Sequence, residues 1–229
     1  KNKHLKFLQT EDEIAAINSI IGASIAGKKS FTATSGPGFS LMQDGIGFAS
    51  VTQTPLVIID AQRQGPSTGM PTVAAQGDLL QTQYGTHGDH SAMVFYPYSV
   101  EECFRYTIEA FNAAEESLSP VILLTDALVS HMFETAKLEY GGQIVKRQKK
   151  ACGSGLGHLT GLVNIDGRLA TKDPAAYAKW LIDIRNRVAK VAPKYAFYEY
   201  GGNKQSDVLI ISFGIVARLL SDDKFSKSY

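Results

Sequence analysis

The sequence predicts an α/β fold with a mainly parallel sheet and helices on both faces. Short β-prone runs at 31–34, 56–60, 92–96 and 120–124 alternate with helix-length stretches carrying apolar residues every three or four positions. The runs at 56–60 and 120–124 are apolar almost throughout, as in strands buried on both faces of a parallel sheet. Gly, Pro and polar residues punctuate the ends of these runs, where helices or loops must begin.

Residues 5–9 read as a short edge strand, after which Thr10 stands where a helix N-cap would. Glu13, three residues on, completes a capping-box pattern ahead of Ile14, Ile17, Ile20 and Ile21. That helix is expected to end near Gly27, with Lys28 and Lys29 beside its negative terminus. The strand at 31–34 then breaks at Ser35-Gly36-Pro37-Gly38. Residues 39–50 predict one helix despite Gly45 and Gly47, which each cost up to about 1 kcal/mol relative to Ala. Glycines in such a place imply close packing against another backbone.

Residues 61–89 read as a long polar loop with room for a short helix near Gln76 and Asp78. Connections beyond roughly 12–15 residues are commonly functional. Past the 92–96 strand, Ser99 and Glu102 form a second capping box, and Val100, Cys103, Phe104, Ile108 and Phe111 give a helical apolar stripe. The polar, basic, glycine-containing stretch at 135–157 reads as a linker. Asp173-Pro174 sets an N-cap with Pro at the first helical position. The helix it opens carries Tyr177, Trp180, Leu181, Ile184, Val188 and Val191 on its apolar side. Residues 207–213 predict a final strand. The expected organisation is an α/β domain over 1–135, a linker with a helix over 136–205, and the beginning of a second small α/β domain over 206–229. The sequence opens on Lys1 and stops soon after its last expected strand, so it reads as an incomplete polypeptide.

The 23 basic and 22 acidic side chains leave a formal charge of +1, too balanced to gather nucleic acid or anionic lipid. No apolar run approaches the ~18 residues of a membrane span and no signal-peptide pattern is present, which makes a cytoplasmic setting the default. Cys103 and Cys152 are the two cysteines and lack a paired spacing, so neither a disulfide framework nor a zinc site is expected. An iron–sulfur cluster takes four thiolates, more than these residues supply.

Ligands on parallel sheets bind beyond the carboxyl ends of the strands, where Ser35, Arg63 and Asp126 fall. Glu13 has two readings, as a capping residue or as a carboxyl whose proton affinity rises in a water-poor pocket. The turn Thr34-Ser35-Gly36-Pro37-Gly38 sets amides and hydroxyls at a helix start, which favours polar or anionic groups. It lacks the lysine of a P-loop and is equally a tight turn that needs glycine. Arg63 offers a fork of donors that matches a carboxylate, with a solvated or paired cation as the plainer reading. Ser67 and Thr68 are hydroxyl donors or simply turn residues. His87, Asp89 and His90 lack metal-site spacing and read as a hydrogen-bonded loop. Gly153-Ser154-Gly155-Leu156-Gly157 is a weak nucleotide-loop pattern with no strand ahead of it. No metal ligand is expected in this chain.

Taken together, Glu11-Asp12-Glu13-Ile14-Ala15-Ala16, Thr32-Ala33-Thr34-Ser35-Gly36-Pro37-Gly38-Phe39, Gln62-Arg63, Gly65-Pro66-Ser67-Thr68-Gly69 and Gln76-Gly77-Asp78-Leu79 resemble the pyrimidine-binding domain of thiamine-diphosphate enzymes. The specific resemblance is to the alpha subunit of 2-oxoacid:ferredoxin oxidoreductases, and it continues through Gly85-Thr86-His87-Gly88-Asp89, Leu124-Thr125-Asp126-Ala127 and His158-Leu159-Thr160-Gly161-Leu162. The shorter Thr-Ser-Gly-Pro-Gly word also occurs in acetolactate-synthase-like enzymes.

The resemblance implies oxidative decarboxylation of a 2-oxoacid, such as 2-oxoglutarate or pyruvate, with coenzyme A to an acyl-CoA, the electrons passing to ferredoxin. It implies that Glu13 is catalytic and bonds the aminopyrimidine of thiamine diphosphate, that Thr34, Ser35, Gly36 and Pro37 contact the same cofactor, and that Arg63, Ser67 and Thr68 meet the substrate. A beta subunit is implied as partner, supplying the diphosphate and magnesium site and the iron–sulfur cluster. Two features depart from the pattern. No Tyr-Pro-Ile-Thr-Pro word occurs, and Val73 stands where 2-oxoglutarate-type members often carry a lysine. The competing expectations are a component of a non-oxidative thiamine-diphosphate decarboxylase or synthase, and a non-catalytic assembly module.

Overall fold

A computed structural model describes residues 5–147, 151, 160–165 and 168–221. Its first helix, α1 (Glu13–Ile25), precedes strand β1 (Phe31–Thr34). The region expected as one helix is two, α2 (Pro37–Leu41) and α3 (Gln43–Val51). Strand β2 (Leu56–Gln64) and antiparallel β3 (Met70–Ala74) lead to the short α4 (Leu79–Tyr84). Then come β4 (Met93–Phe95), α5 (Val100–Ser117), β5 (Pro120–Asp126) and α6 (Ala127–Ser130). A two-residue hairpin, β6 (Asn164–Ile165) with β7 (Arg168–Leu169), precedes α7 (Pro174–Val191), a 3-10 turn (Ala192–Tyr195) and α8 (Gly214–Ser221).

The main sheet runs β1-β2-β5-β4, with every one of these pairs parallel, and β3 adds antiparallel to the far end of β2. Because successive side chains in a strand point to opposite faces, the two central strands divide their residues between two cores. Leu56, Ile58, Ile122 and Leu124 pack with Ile17, Ile21, Phe39, Met42, Ile46 and Ala49 from α1, α2, α3 and the α2–α3 junction. Val57, Val121 and Leu123 pack with Tyr106, Ala110, Ala113 and Ala114 of α5, and with Val188 of α7 and Tyr195. The expected α/β architecture with helices on both faces is the one observed.

Several local expectations change in the folded chain. The N-cap of α1 is Asp12, whose Oδ1 accepts from the Ala15 amide at 2.7 Å, while Thr10 donates its hydroxyl to the Asp12 carbonyl. Glu13 is thereby released from the capping box. The second capping box is real in its forward half: Ser99 Oγ accepts from the Glu102 amide, but the Glu102 carboxylate reaches the Tyr98 amide instead of Ser99. On α5 the fully buried face is Tyr106, Ala110, Ala113 and Ala114, and the expected Cys103, Phe104, Ile108 and Phe111 stripe is only half-buried. Small side chains face the sheet because they let the helix approach it closely.

The strand expected at 56–60 continues to Gln64, since β3 folds back to pair with it across a register shift at Arg63 and Gln64. The supposed loop at 61–89 therefore contains a strand end, a second strand and a helix. No strand forms at 207–213. Val208, Leu209, Ile210 and Ile211 are 68–81% exposed there, and a strand needs a pairing edge to be stable.

The polar stretch from residue 135 onward forms no helix or strand through 147. Buried Asn112 on α5 nevertheless anchors it, donating to the Gln143 carbonyl at 2.9 Å and accepting from the Val145 amide at 2.9 Å. Arg147 pairs with buried Glu115 at 2.8 Å. The Gly153–Gly157 pattern lies outside the described residues. Among the described residues, no helix is long and apolar enough to cross a membrane.

Gly45 is closely packed, but against a side chain and not the expected backbone: a Cβ there would lie 2.6 Å from Cγ1 of the buried Ile17. Gly45→Ala is expected to cost about 1–3 kcal/mol through overpacking of α1 against α3. Urea unfolding checks it, with a lowered midpoint at an unchanged slope.

Candidate functional site

The site forms beyond the carboxyl end of β1 and beside the last residues of β2, and two glycines organise it. Gly36 caps α2 with φ +60°, a conformation that costs glycine little and other residues more. A Cβ on Gly36 would lie 2.6 Å from Arg63 Nε, so the guanidinium arm rests directly on this turn. A Cβ on Gly38 would lie 2.6 Å from both Cγ and Oε1 of Glu13 and would collide with Thr34 Oγ1. The freed Glu13 side chain thus folds over the turn, half-buried, beside the Thr34 hydroxyl.

The remaining turn atoms have distinct jobs. Ser35 donates its hydroxyl to the Ala61 carbonyl at 2.7 Å, tying the turn to β2. Pro37 occupies the first position of α2, where its missing N–H costs nothing. Thr34 Oγ1 and Arg63 Nε are both buried and meet no hydrogen-bond partner. Arg63 is held at its other end, where Nη1 donates to the Thr68 carbonyl at 3.2 Å. Arg63 lies within β2, not past its end as the sequence suggested. Ser67 and Thr68 are exposed in the β2–β3 turn, and what Thr68 offers Arg63 is its backbone carbonyl, not its hydroxyl.

Glu13, Thr34, Ser35, Gly36, Pro37 and Arg63 therefore gather about one turn, and Thr68 joins them through its carbonyl. Unsatisfied buried polar atoms are uncommon in folded proteins and each calls for an explanation. Thr34 Oγ1 and Arg63 Nε, both unpartnered beside one turn, are groups that a polar ligand could satisfy. The bare backbone of Gly38 lets the Glu13 and Thr34 side chains come together over it, in the place a Cβ would occupy. A flat heteroaromatic ring bearing nitrogen donors and acceptors matches these groups, and so the residues fit the pyrimidine of thiamine diphosphate.

Behind the turn lies a layer that sequence reasoning passed over. Asp60 is fully buried in β2, opposite Thr34 in the β1 register. Its oxygens meet no donor at full hydrogen-bond geometry, and its neighbours are the Asp78 carboxyl and the Gly36 amide. Burial, then the facing Asp78, pushes the Asp60 pKa up to about 8. Burial also raises Asp78, opposed by its hydrogen bond with Asp60. Gln62, likewise buried, donates to the Tyr96 hydroxyl at 2.6 Å and accepts from the Asp78 amide at 2.9 Å. The available signal was a lone carboxylate closing an otherwise apolar strand. Asp126 at the end of β5 is buried too, but it caps α6 through Val129 and reaches the Ile215 amide.

Burial lowers the His90 pKa. Among the described residues no group of three or more His, Cys, Asp or Glu is placed to hold a metal ion.

A family profile described as pyruvate flavodoxin/ferredoxin oxidoreductase, thiamine diP-bdg, matches residues 1–159. The 2-oxoglutarate synthase subunit KorA of Archaeoglobus fulgidus is 43% identical over 216 residues, covering 93% of this chain and 61% of the relative. That of Methanocaldococcus jannaschii is 39% identical over 232 residues, covering 93% and 63%. A solved structure, 2-oxoglutarate:ferredoxin oxidoreductase from Magnetococcus marinus with 2-oxoglutarate, coenzyme A and succinyl-CoA bound, is similar with a TM-score of 0.69 and 32% identity, over 85% of this chain and 38% of that one. The chain spans about three-fifths of the length of these curated relatives.

Proposed function

The chain belongs to the pyruvate flavodoxin/ferredoxin oxidoreductase thiamine-diphosphate-binding family, and on that premise we propose that it supplies the pyrimidine side of the active site in a 2-oxoacid:ferredoxin oxidoreductase. The reaction consumes a 2-oxoacid and coenzyme A and yields an acyl-CoA, carbon dioxide and two reducing equivalents for ferredoxin. The observation that carries this reading is the convergence of Glu13 and the partnerless Thr34 hydroxyl over the bare backbone of Gly38.

Thiamine diphosphate, when bound, supplies the electron sink that lets the bond to the departing carboxylate break. Glu13 holds a proton at a ring nitrogen of the aminopyrimidine, and Thr34, Ser35, Gly36 and Pro37 form the wall that orients that ring. Arg63 grips the 1-carboxylate of the 2-oxoacid through its guanidinium, which the Thr68 carbonyl keeps extended. Ser67 and Thr68 serve as the turn that carries this carbonyl.

A beta subunit holds the diphosphate, its magnesium ion and the iron–sulfur cluster that relays electrons to ferredoxin, in a cytoplasmic assembly that engages neither nucleic acid nor membrane. The relatives' names favour 2-oxoglutarate as the substrate. With Val73 in place of a lysine, recognition of the second carboxylate then rests on other residues.

The test is the full-length subunit assembled with its partner, assayed for viologen reduction dependent on coenzyme A with 2-oxoglutarate and pyruvate in parallel. Reduction with either acid supports the reading. Carbon dioxide release without dye reduction overturns it in favour of a non-oxidative decarboxylase, and no turnover with any 2-oxoacid makes the chain an assembly module.

A further inference from the structure

Asp60 of β2 and Asp78 ahead of α4 are neighbours behind the Gly36 turn, and each has buried carboxylate oxygen that meets no donor. Asp60 extends the Leu56 and Ile58 row of β2 and is 0% exposed. Asp78 stands at the start of α4 but makes no capping bond with its side chain, and its Oδ2 is buried without a well-formed partner. Its main chain is pinned instead, through the amide bond to Gln62. Gln62 is fixed in turn by Tyr96 and by the Thr125 carbonyl at 3.3 Å. The Asp78 carboxyl is thus presented to Asp60 by a satisfied scaffold.

The surroundings offer this pair no cation. Just past β4 comes Tyr96, near Asp126 of β5. Arg63, further along β2, lies over Gly36, and Glu13 of α1 lies over Gly38. β1 and α2 bring no titratable group, and Tyr84 of α4 is 70% exposed. Two ionised carboxylates in one buried place repel strongly, and the usual resolution is a single proton held between them. The raised proton affinities of both groups agree with that arrangement.

We propose that Asp60 and Asp78 share one proton and act as a positioning pair, clamping the Gly36 turn to the segment at 76–78 so that Thr34 and Arg63 stay aimed into the site. What the site holds rests on the thiamine-diphosphate reading, whereas the shared proton does not. While the pair is protonated, Asp60 donates to Asp78 and leaves an oxygen for the Gly36 amide. Once the proton is lost, two facing negative charges push the 76–78 segment from β2, and the turn that seats Arg63 loosens.

The test uses the full-length subunit assembled with its partner, as the parent and as Asp60→Asn, Asp60→Ala and Asp78→Asn. Isotope-edited infrared spectra at neutral pH are expected to show the carbonyl stretch of an un-ionised buried carboxyl in the parent, and its loss in Asp60→Asn. The folded parent holds a proton that the unfolded chain gives up near the ordinary value of 3.8, so its stability should decline from that pH to about 8 and level off above. Asp60→Asn removes most of that decline.

In the parent, thiamine diphosphate affinity and the 2-oxoacid KM should worsen by up to about tenfold per pH unit above the transition, with kcat little changed. Asp60→Asn, which still donates to Asp78, should flatten this dependence, and Asp60→Ala should lose affinity that Asp60→Asn restores. A parent without the un-ionised carboxyl band overturns the proposal, as does an Asp60→Asn variant with the parent's full alkaline loss. If the band and its loss are seen but the parent binds no thiamine diphosphate at any pH, the functional reading falls and the proton-sharing pair stands.

Discussion

Replacing Glu13 by alanine in the assembled enzyme is expected to lower 2-oxoacid-dependent dye reduction by about 10²–10⁴-fold, the range for removal of a positioned proton-transfer group. The folded state should survive the change. Glu13 is half-buried, and the helix it opens is capped by Asp12, not by Glu13. The thermal midpoint and co-purification with the partner are therefore expected to match the parent. Glu13→Gln separates two roles, since it keeps a hydrogen bond to a ring nitrogen but cannot deliver a carboxyl proton. It should retain cofactor affinity that Glu13→Ala loses, while remaining nearly as slow. Turnover of Glu13→Ala within a few-fold of the parent would remove this residue from the chemistry.

Arg63→Ala is expected to raise the KM for the 2-oxoacid by roughly 10–100-fold, because a hydrogen bond to a charged group contributes about 1.5–3 kcal/mol. Arg63→Lys should recover only part of this, since an ammonium cannot reproduce the planar fork that matches a carboxylate. The parent side chain is restrained at both ends, by the Thr68 carbonyl and by the flat surface of Gly36. Such restraint lowers the entropy lost on binding. A substrate series sharpens the measurement: the Arg63→Ala penalty should be similar for pyruvate and 2-oxoglutarate, which share the 1-carboxylate. A penalty confined to 2-oxoglutarate would reassign Arg63 to the distal carboxylate.

The parts of the site visible in the sequence were those whose residue types are unusual at an element end. Gly36 and Gly38 flank a proline where a strand gives way to a helix, and Arg63 follows a buried apolar run. Glu13 was visible only as a capping residue, and its resemblance to a family word was needed to suggest more. The folded chain explains why the capping pattern misled: Asp12 supplies the cap in place of Thr10, two residues on, which turns Glu13 toward Gly38. Thr10 and Asp12 are both of types that cap helices, so the local pattern alone does not choose between them, whereas the contact of Glu13 with Gly38 does.

Asp60 shows the opposite limit. Its residue type was readable, but its partner Asp78 lies on the far side of the β2–β3 hairpin, and that hairpin was read as loop. Likewise, of the apolar side expected for α7, Ile184 and Val188 are buried while Tyr177 is exposed, and nothing in that stretch indicated that Val188 would complete the core under α5. The run at 207–213 has the composition of a strand and no edge to pair with among the described residues.

Periodicity and punctuation in this chain were enough to establish the parallel α/β architecture, the two-faced strands and the turn at Ser35–Gly38. These properties depend on residues within a few positions of one another, so local preference and burial pattern agree on them. The direction of the Glu13 side chain, the seat of Arg63, the extension of β2 and the Asp60–Asp78 contact were settled only when distant segments packed. Each depends on which backbone comes close to which side chain, and that follows from the free energy of the whole core.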